Sequence, residues 1–242
     1  MFNNVPLGEE VDAIAARTPE HITIKGRHAS LVPISPSHAP ALHRQLCLNS
    51  PDETWAYMSA GPFASSESFA NHISALAVST DPLFFTVISE IDLSSGITAG
   101  TPVGYLGLMR IDAKNRCVEL GHVTFSAVLQ RTTVATEALY LAMRHCFEGL
   151  GNRRLEWKCD SLNAKSRRAA GRLGFVAEGV FRSHMIVRGR SRDTAWFSIV
   201  EGEWAGRKEA LERWIDESNF DEEGRQKDKL ERIREAVATN AK

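Results

Sequence analysis

Long apolar runs are missing from this chain. Its densest block, "LFF" within Leu83–Ile88, is far short of the roughly 20 apolar residues a helix needs to span a bilayer. The opening "MFNNVPLGEEVDAIAAR" has no basic start followed by an apolar block, so it lacks the form of a secretory leader. Cysteine is scarce and scattered. Cys47, Cys117, Cys146 and Cys159 form no C-x-x-C pair, which argues against both a zinc site and a secreted disulfide framework. Neither sign of charge dominates: the formal net charge is −1 over 242 residues, so no global field recruits nucleic acid or an anionic membrane. Together these absences lead us to expect a cytoplasmic protein with reduced thiols, no metal and no membrane partner.

What is present is a globular composition, 43% hydrophobic and 24% charged, in a chain long enough to bury a core without staples. Residues 1–20 are polar and read as an extension. "ITIKGRHASLVPI" alternates and breaks at prolines, the pattern of a strand pair or one bent strand. A short helix is expected over 40–48. A second begins in "SPDETWAYMSAGPF" and stops at Gly61-Pro62, and a better one lies in "SSESFANHISALAV". "LFFTVISEI" and "PVGYLGLMRID" read as strands around the soft linker "DLSSGITAG", and "RCVELGHVTFS" as a third.

The stretch "LQRTTVATEALYLAMRHCFEGLG" then has apolar residues at helical spacing (Val134, Ala138, Leu141, Ala142, Phe147) and glycines to end it. A strand "RRLEWKC", a helix "NAKSRRAAGRLG" and a hairpin turning at 189–191 follow. This order predicts a mixed α/β domain. The last 42 residues hold 12 acidic and 9 basic residues. Narrow apolar stripes there (Leu211, Trp214, Ile215; Leu230, Ile233, Val237) are of the kind that pack on the parent domain or on a second copy in a homodimer.

Three stretches resemble the GNAT superfamily of acyl-CoA-dependent N-acetyltransferases, and within it the RimJ/RimL-like branch of ribosomal-protein N-terminal acetyltransferases. They are "VELGHVTF" running into "LQRTTVATEAL", "NAKSRRAAGRLGF" with its Asn-x-x-Ser, and the closing hairpin "FRSHMIVRGRSRDTAWFSI". The likeness covers about residues 21–202. It implies a GNAT fold, α/β (α+β), with a mixed central sheet of about seven strands flanked by helices and a charged helical extension over 203–242. It also implies acetyl-CoA as co-substrate and a primary amine as acceptor, either a protein N-terminus or a small molecule. The competing class is a non-catalytic acyl-CoA-binding or interaction module of the same fold. RNA contact has no aromatic-rich motif behind it, and nucleic acid is not an expected partner.

The family's pyrophosphate loop reads Gln/Arg-x-x-Gly-x-Gly/Ala. Gln130 and Ala135 match its ends, while Thr133 stands where the middle glycine belongs. Glycine tolerates positive φ and close backbone approach; threonine does not. Yet a helix N-terminus offers unpaired N–H groups and a positive dipole end to an anion whatever its side chains. No Glu or Gln stands three residues after Thr132 or Thr133 to form a reciprocal capping box, and Glu137 is expected in the first turn, where the dipole favours it.

By the resemblance, Val123, Thr124 and Phe125 face the thioester. Gln130, Arg131, Thr132, Thr133, Val134 and Ala135 hold the pyrophosphate, and Asn163 contacts the pantetheine arm with Ser166 nearby. An excess of cations supports phosphate binding: residues 151–193 hold eleven Lys/Arg against four acids.

Acetyl transfer to an amine needs a proton acceptor. Glu119, in an apolar strand, is the first candidate, because burial raises a carboxyl toward the working range; the alternative is a structural glutamate bonded to backbone. His122 is the second. Its parity is opposite to Glu119, so a regular strand would point it to the other face. The family's acidic tyrosine position is Ala170 here, which leaves Ser166, a weak acid, or water to protonate the thiolate. Trp55 and Tyr57 sit where the branch shapes its acceptor pocket, with core packing as the alternative. Asp193 either pairs with an arginine, the favoured reading, or meets a cationic acceptor.

Overall fold

The computed structural model describes residues 5–93 and 96–240. Eight strands form one sheet in the order β1-β2-β3-β4-β5-β6-β8-β7. They are β1 (Ile24–Lys25), β2 (Ala29–Pro33), β3 (Leu83–Ser89), β4 (Thr101–Asp112), β5 (Cys117–Phe125), β6 (Arg154–Asp160), β7 (Val176–Val187) and β8 (Arg190–Val200). The eighth, beyond the seven expected, is the two-residue β1, paired to β2 across the turn at 26–28.

All neighbours are antiparallel except β5 and β6. Parallel neighbours need a long crossover, and α3 (Thr133–Arg144), continued by a π-helical turn over His145–Gly149, supplies it. The stretch expected to start a helix after Pro51 makes only a 3-10 turn, Asp52–Trp55. Of the linker "DLSSGITAG", Leu93 bridges Ile97, while Ser94 and Ser95 lie outside the described residues.

Strand alternation sends side chains to two separate cores. Leu83, Phe85 and Val87 join Leu106, Leu108, Val118 and Leu120 under α3, α4 (Ala164–Leu173), α5 (Glu201–Ile215) and α6 (Leu230–Asn240). Phe84 and Tyr105 turn the other way, into a smaller cluster with α1 (Ala39–His43) and α2 (Ser66–Ala77). The C-terminal stripes belong to the first core: Trp204, Leu211, Trp214, Ile215, Leu230 and Val237 are all buried in it. Those stripes are therefore spent on the domain itself.

Glu137 departs from its expected place. It lies beyond the first turn of α3 and is buried, and its carboxylate accepts the backbone N–H groups of Arg27 (3.0 Å), His28 and Ala29 (2.7 Å). A buried carboxylate requires such donors, and here they fix the β1–β2 turn against the helix.

Candidate active site

β5 and β6 pair only where Cys117–Glu119 faces Arg154–Glu156. Beyond that point β5 continues along β4, through Phe125, while β6 continues along β8, through Asp160. The two strands splay, and a wedge opens inside the sheet between 120–125 and 157–160. Backbone N–H and C=O groups along a wedge of this kind are free to pair with an extended ligand, as a sheet edge pairs with a strand.

A bulge helps to open it. Gly107 pairs with Gly121 and Tyr105 with Thr124, so two residues, His122 and Val123, stand opposite Leu106 alone. His122 takes φ 49°, the left-handed region in which histidine is enriched among non-glycine residues. The extra residue cancels the alternation, and this corrects the expected geometry. Glu119 and His122 share one face of the sheet, where the imidazole packs 5.2 Å from the Phe84 ring. Burial lowers the pKa of His122; Glu119 opposes that, while Arg110 and Arg192 reinforce it. The ring is neutral at pH 7.

Glu119 is buried, but it is not alone. Its Oε2 receives Arg110 Nη1 at 2.6 Å and Lys158 Nζ at 2.9 Å. Lys158 is itself buried, its ammonium 2.6 Å from Glu156 and 3.9 Å from the centre of the Trp196 ring. Arg154 then joins Glu156 (2.8 Å) to Glu178, which it grips with two hydrogen bonds of 2.7 and 2.6 Å. Burial pushes Glu156 up, but the hydrogen bonds from Lys158 and Arg154 outweigh it and hold the carboxyl below its ordinary range. Arg154 holds Glu178 at about 2. Three cations and three carboxylates thus alternate across β4, β5, β6 and β7.

The wedge ends between two helix entrances. Thr132 caps α3, its hydroxyl accepting the Ala135 N–H at 3.1 Å. The N–H groups of Thr133 and Val134 have no acceptor among the described residues. Thr133 is the first helical residue and is unstrained. The left-handed position of the loop is Arg131, at φ 66°, so the missing middle glycine is not where the backbone turns. Gln130 Nε2 donates to Phe125 O (3.0 Å), tying the loop to the strand end.

At the other entrance Asn163 Oδ1 caps α4 by accepting the Ser166 N–H (3.0 Å). Ser166 Oγ accepts the indole N–H of Trp157 (2.9 Å), which holds the hydroxyl in place and leaves its own proton free to donate. Ala170 is fully buried and carries no acid.

Trp55 does not line a pocket. It is 1% exposed, edge-on to Phe63 at 5.1 Å and near Phe69 at 6.4 Å, so the core-packing alternative describes it. Tyr57 is 39% exposed and its hydroxyl donates to Leu162 O (3.2 Å), bridging the 51–63 loop to the β6–α4 loop. Arg188 Nη1 donates to Trp55 O (3.4 Å), which brings the tip of the outer hairpin to the same loop. Asp193 accepts the Ser183 N–H (2.7 Å) and has no ion-pair partner among the described residues, against the favoured reading. A depression of about 710 Å³ lies on this hairpin, lined by Phe181, Arg182, Ser183, His184 and Asp193.

Sequence reasoning missed Arg110 and Trp196, and counted Lys158 and Arg192 only within the cationic excess of residues 151–193. The signal for Lys158 was present in "RLEWKC": Glu156 and Lys158 alternate with buried Leu155, Trp157 and Cys159, which places opposite charges two apart on one strand face.

A mixed sheet split between two strands, with helix N-termini closing the split, is the architecture of the GNAT class of acetyltransferases. The sequence profile of the acetyltransferase (GNAT) domain matches residues 29–176, and the chain belongs to that family. A GCN5-related N-acetyltransferase from Brucella melitensis is 37% identical, with a TM-score of 0.87 over 92% of this chain and 98% of that one. A GNAT-family structure from Chromobacterium violaceum is 33% identical, with a TM-score of 0.72 over 84% and 100%. The curated Bacillus subtilis protein "Putative ribosomal N-acetyltransferase YdaF" is 29% identical over 109 residues, 45% of this chain. The match spans 59% of that protein's length.

Proposed function

We propose that the protein transfers an acetyl group from acetyl-CoA to a primary amine within a ternary complex. The observation that carries this is the wedge itself, an unpaired strand edge that ends at two free helix N–H groups and has a neutral imidazole beside it. Gln130 through Ala135 hold the pyrophosphate on the N–H groups of Thr133 and Val134. The backbone of Val123–Phe125 runs along the pantetheine arm, and Asn163 and Ser166 line its far side.

The amine nitrogen attacks the thioester carbon, a C–N bond forms, and the carbonyl electrons move to oxygen. Collapse breaks the C–S bond and releases the thiolate, which takes its proton from water. The proton leaving the amine goes to His122. Its imidazole is neutral at working pH, while Glu119 raises its proton affinity and offsets the positive charge it gains. In this reading Glu119 acts as the partner of the base, and its ion pairs with Arg110 and Lys158 support that role over the role of base. Tyr57 stands at the acceptor mouth. Four free thiols support a cytoplasmic setting.

Thiol release with a panel of primary amines tests the reading. Turnover is expected, with a rate that falls as pH drops through the His122 pKa. Removing Glu119 lowers that pKa further, so Glu119→Gln should move the acid limb to lower pH, and His122→Gln should abolish the limb. Tight acetyl-CoA binding without turnover on any amine would instead support a non-catalytic module.

A further inference from the structure

The cations on the uncovered face fall into two groups. Arg110, Lys158 and Arg154 each touch a carboxylate. On the outer hairpin, Arg182, Arg188, Arg190 and Arg192 have no carboxylate partner among the described residues. Asp193, in their midst, spends an oxygen on the Ser183 N–H.

Two of these guanidinium groups are held toward the site. Arg192 is half-buried and lies two and four residues before Thr194 and Trp196, so it shares their face. Its Nε donates to Thr194 Oγ1 (3.2 Å), and that hydroxyl also contacts His184 Nδ1 at 3.0 Å. Its charge is felt at His122, which it helps to keep unprotonated. Arg188 is tied to Trp55 O at the 51–63 loop, two residues from Tyr57. Arg188 is exposed and Arg192 partly buried; a partly buried guanidinium without a counter-ion is costly, and the planar fork of either matches carboxylate or phosphate oxygens.

We infer that the amine acceptor carries an anionic group, carboxylate or phosphate, received by Arg192 and Arg188 while its amine sits beside His122. This rests on the transferase reading above. The same chemistry could come from a peptide whose N-terminal residue is followed by acidic ones, or from a small amine bearing its own acid.

Matched acceptor pairs test this at saturating acetyl-CoA. They are a tetrapeptide with Asp-Glu after its first residue against its Asn-Gln version, an amino acid against its amide, and an aminoalkyl phosphate against the alcohol. In at least one pair the anionic member should have a kcat/KM about tenfold higher or more, the scale of a charge-assisted contact. The pair that shows the preference identifies the source. Added salt should shrink it, and Arg192→Gln should collapse the ratio. Equal rates within every pair would overturn the inference, as would an Arg192→Gln protein that keeps the preference or instead loses acetyl-CoA affinity by calorimetry. If no acceptor turns over, the same pairs are titrated into the CoA complex. Binding that depends on the anion, and is lost in Arg192→Gln, keeps the anion site and removes the transferase reading. Binding indifferent to the anion removes both.

Discussion

The face of the sheet that carries the site is built in two halves that solve one problem differently. Over β3 and β4, helices α1 and α2 cover the strands, and the contacts are mostly aromatic: Trp55, Phe69, Phe84 and Tyr105 pack around Ile73 with little exposure. Over β5 to β8 no helix among the described residues covers this face. There the strand positions that would be apolar under a helix carry Glu119, Glu156 and Lys158 instead, with Lys158 over the Trp196 ring. An uncovered apolar face would invite association, while an unpaired charge so near the core would be costly. Alternating cations and carboxylates avoid both, and they leave room for an acceptor. The boundary between the halves is the bulge at His122, which touches both: its ring meets Phe84 on one side and its charge state responds to Glu119 on the other.

The largest effect should come from breaking the covered half. Trp55→Ala removes a side chain that is 1% exposed and leaves a cavity between Phe63 and Phe69, at a cost of about 3–5 kcal/mol. Denaturant unfolding should show the midpoint moving with an unchanged slope. An unaltered midpoint would mean that the loop at 51–63 is not part of the folded core. Breaking the uncovered half comes next. Lys158→Met takes away the shared cation of Glu119 and Glu156, leaving like charges close together, at a cost of about 3 kcal/mol.

The pH dependence has a definite sign. Glu156 and Glu178 have folded pKa values below their ordinary ones. They therefore contribute stability that is present above the ordinary carboxyl range and is lost as pH falls through their lowered values. Lys158→Met should shift the acid-unfolding midpoint to higher pH; a coincident acid titration would show the network to be energetically silent.

The covered half was largely legible in the sequence, and the uncovered half only in part. The apolar run in "LFFTVIS", buried on both faces of the sheet, and helical spacing after Val134 come from burial, and burial leaves a local pattern. The wedge itself was not expected, only the helix entrance at its end, because Gln130 and Ala135 keep the frame of a familiar loop. What could not be found locally depends on neighbours that strand pairing brings together. Arg110 meets Glu119 across a strand pair, and Lys158 meets it across a crossover of some 30 residues that includes α3. The face of His122 was misjudged because a bulge is a property of two strands, and the parity of one strand cannot reveal it. Thr133 drew suspicion as the residue replacing glycine, yet the chain turns one residue before the Thr132 cap, at Arg131.

The helix entrances allow a sharper separation of stability from binding. At Ala135, which is 7% exposed at the head of α3, an aspartate would set a carboxylate beside the N–H groups proposed to take a pyrophosphate. Ala135→Asp should weaken acetyl-CoA binding about tenfold or more by calorimetry, since an anion must then approach a like charge. Unaltered affinity would remove this loop from the binding site.

Thr132→Ala makes the opposite kind of change, and a smaller one. It deletes an N-cap, which costs about 1 kcal/mol of stability, but it also releases the Ala135 N–H that the hydroxyl now occupies. If the helix end binds phosphate through its backbone amides, the variant should melt earlier while its acetyl-CoA affinity holds or rises. A loss of affinity in step with the loss of stability would mean that the threonine hydroxyl, and not the freed amides, meets the anion.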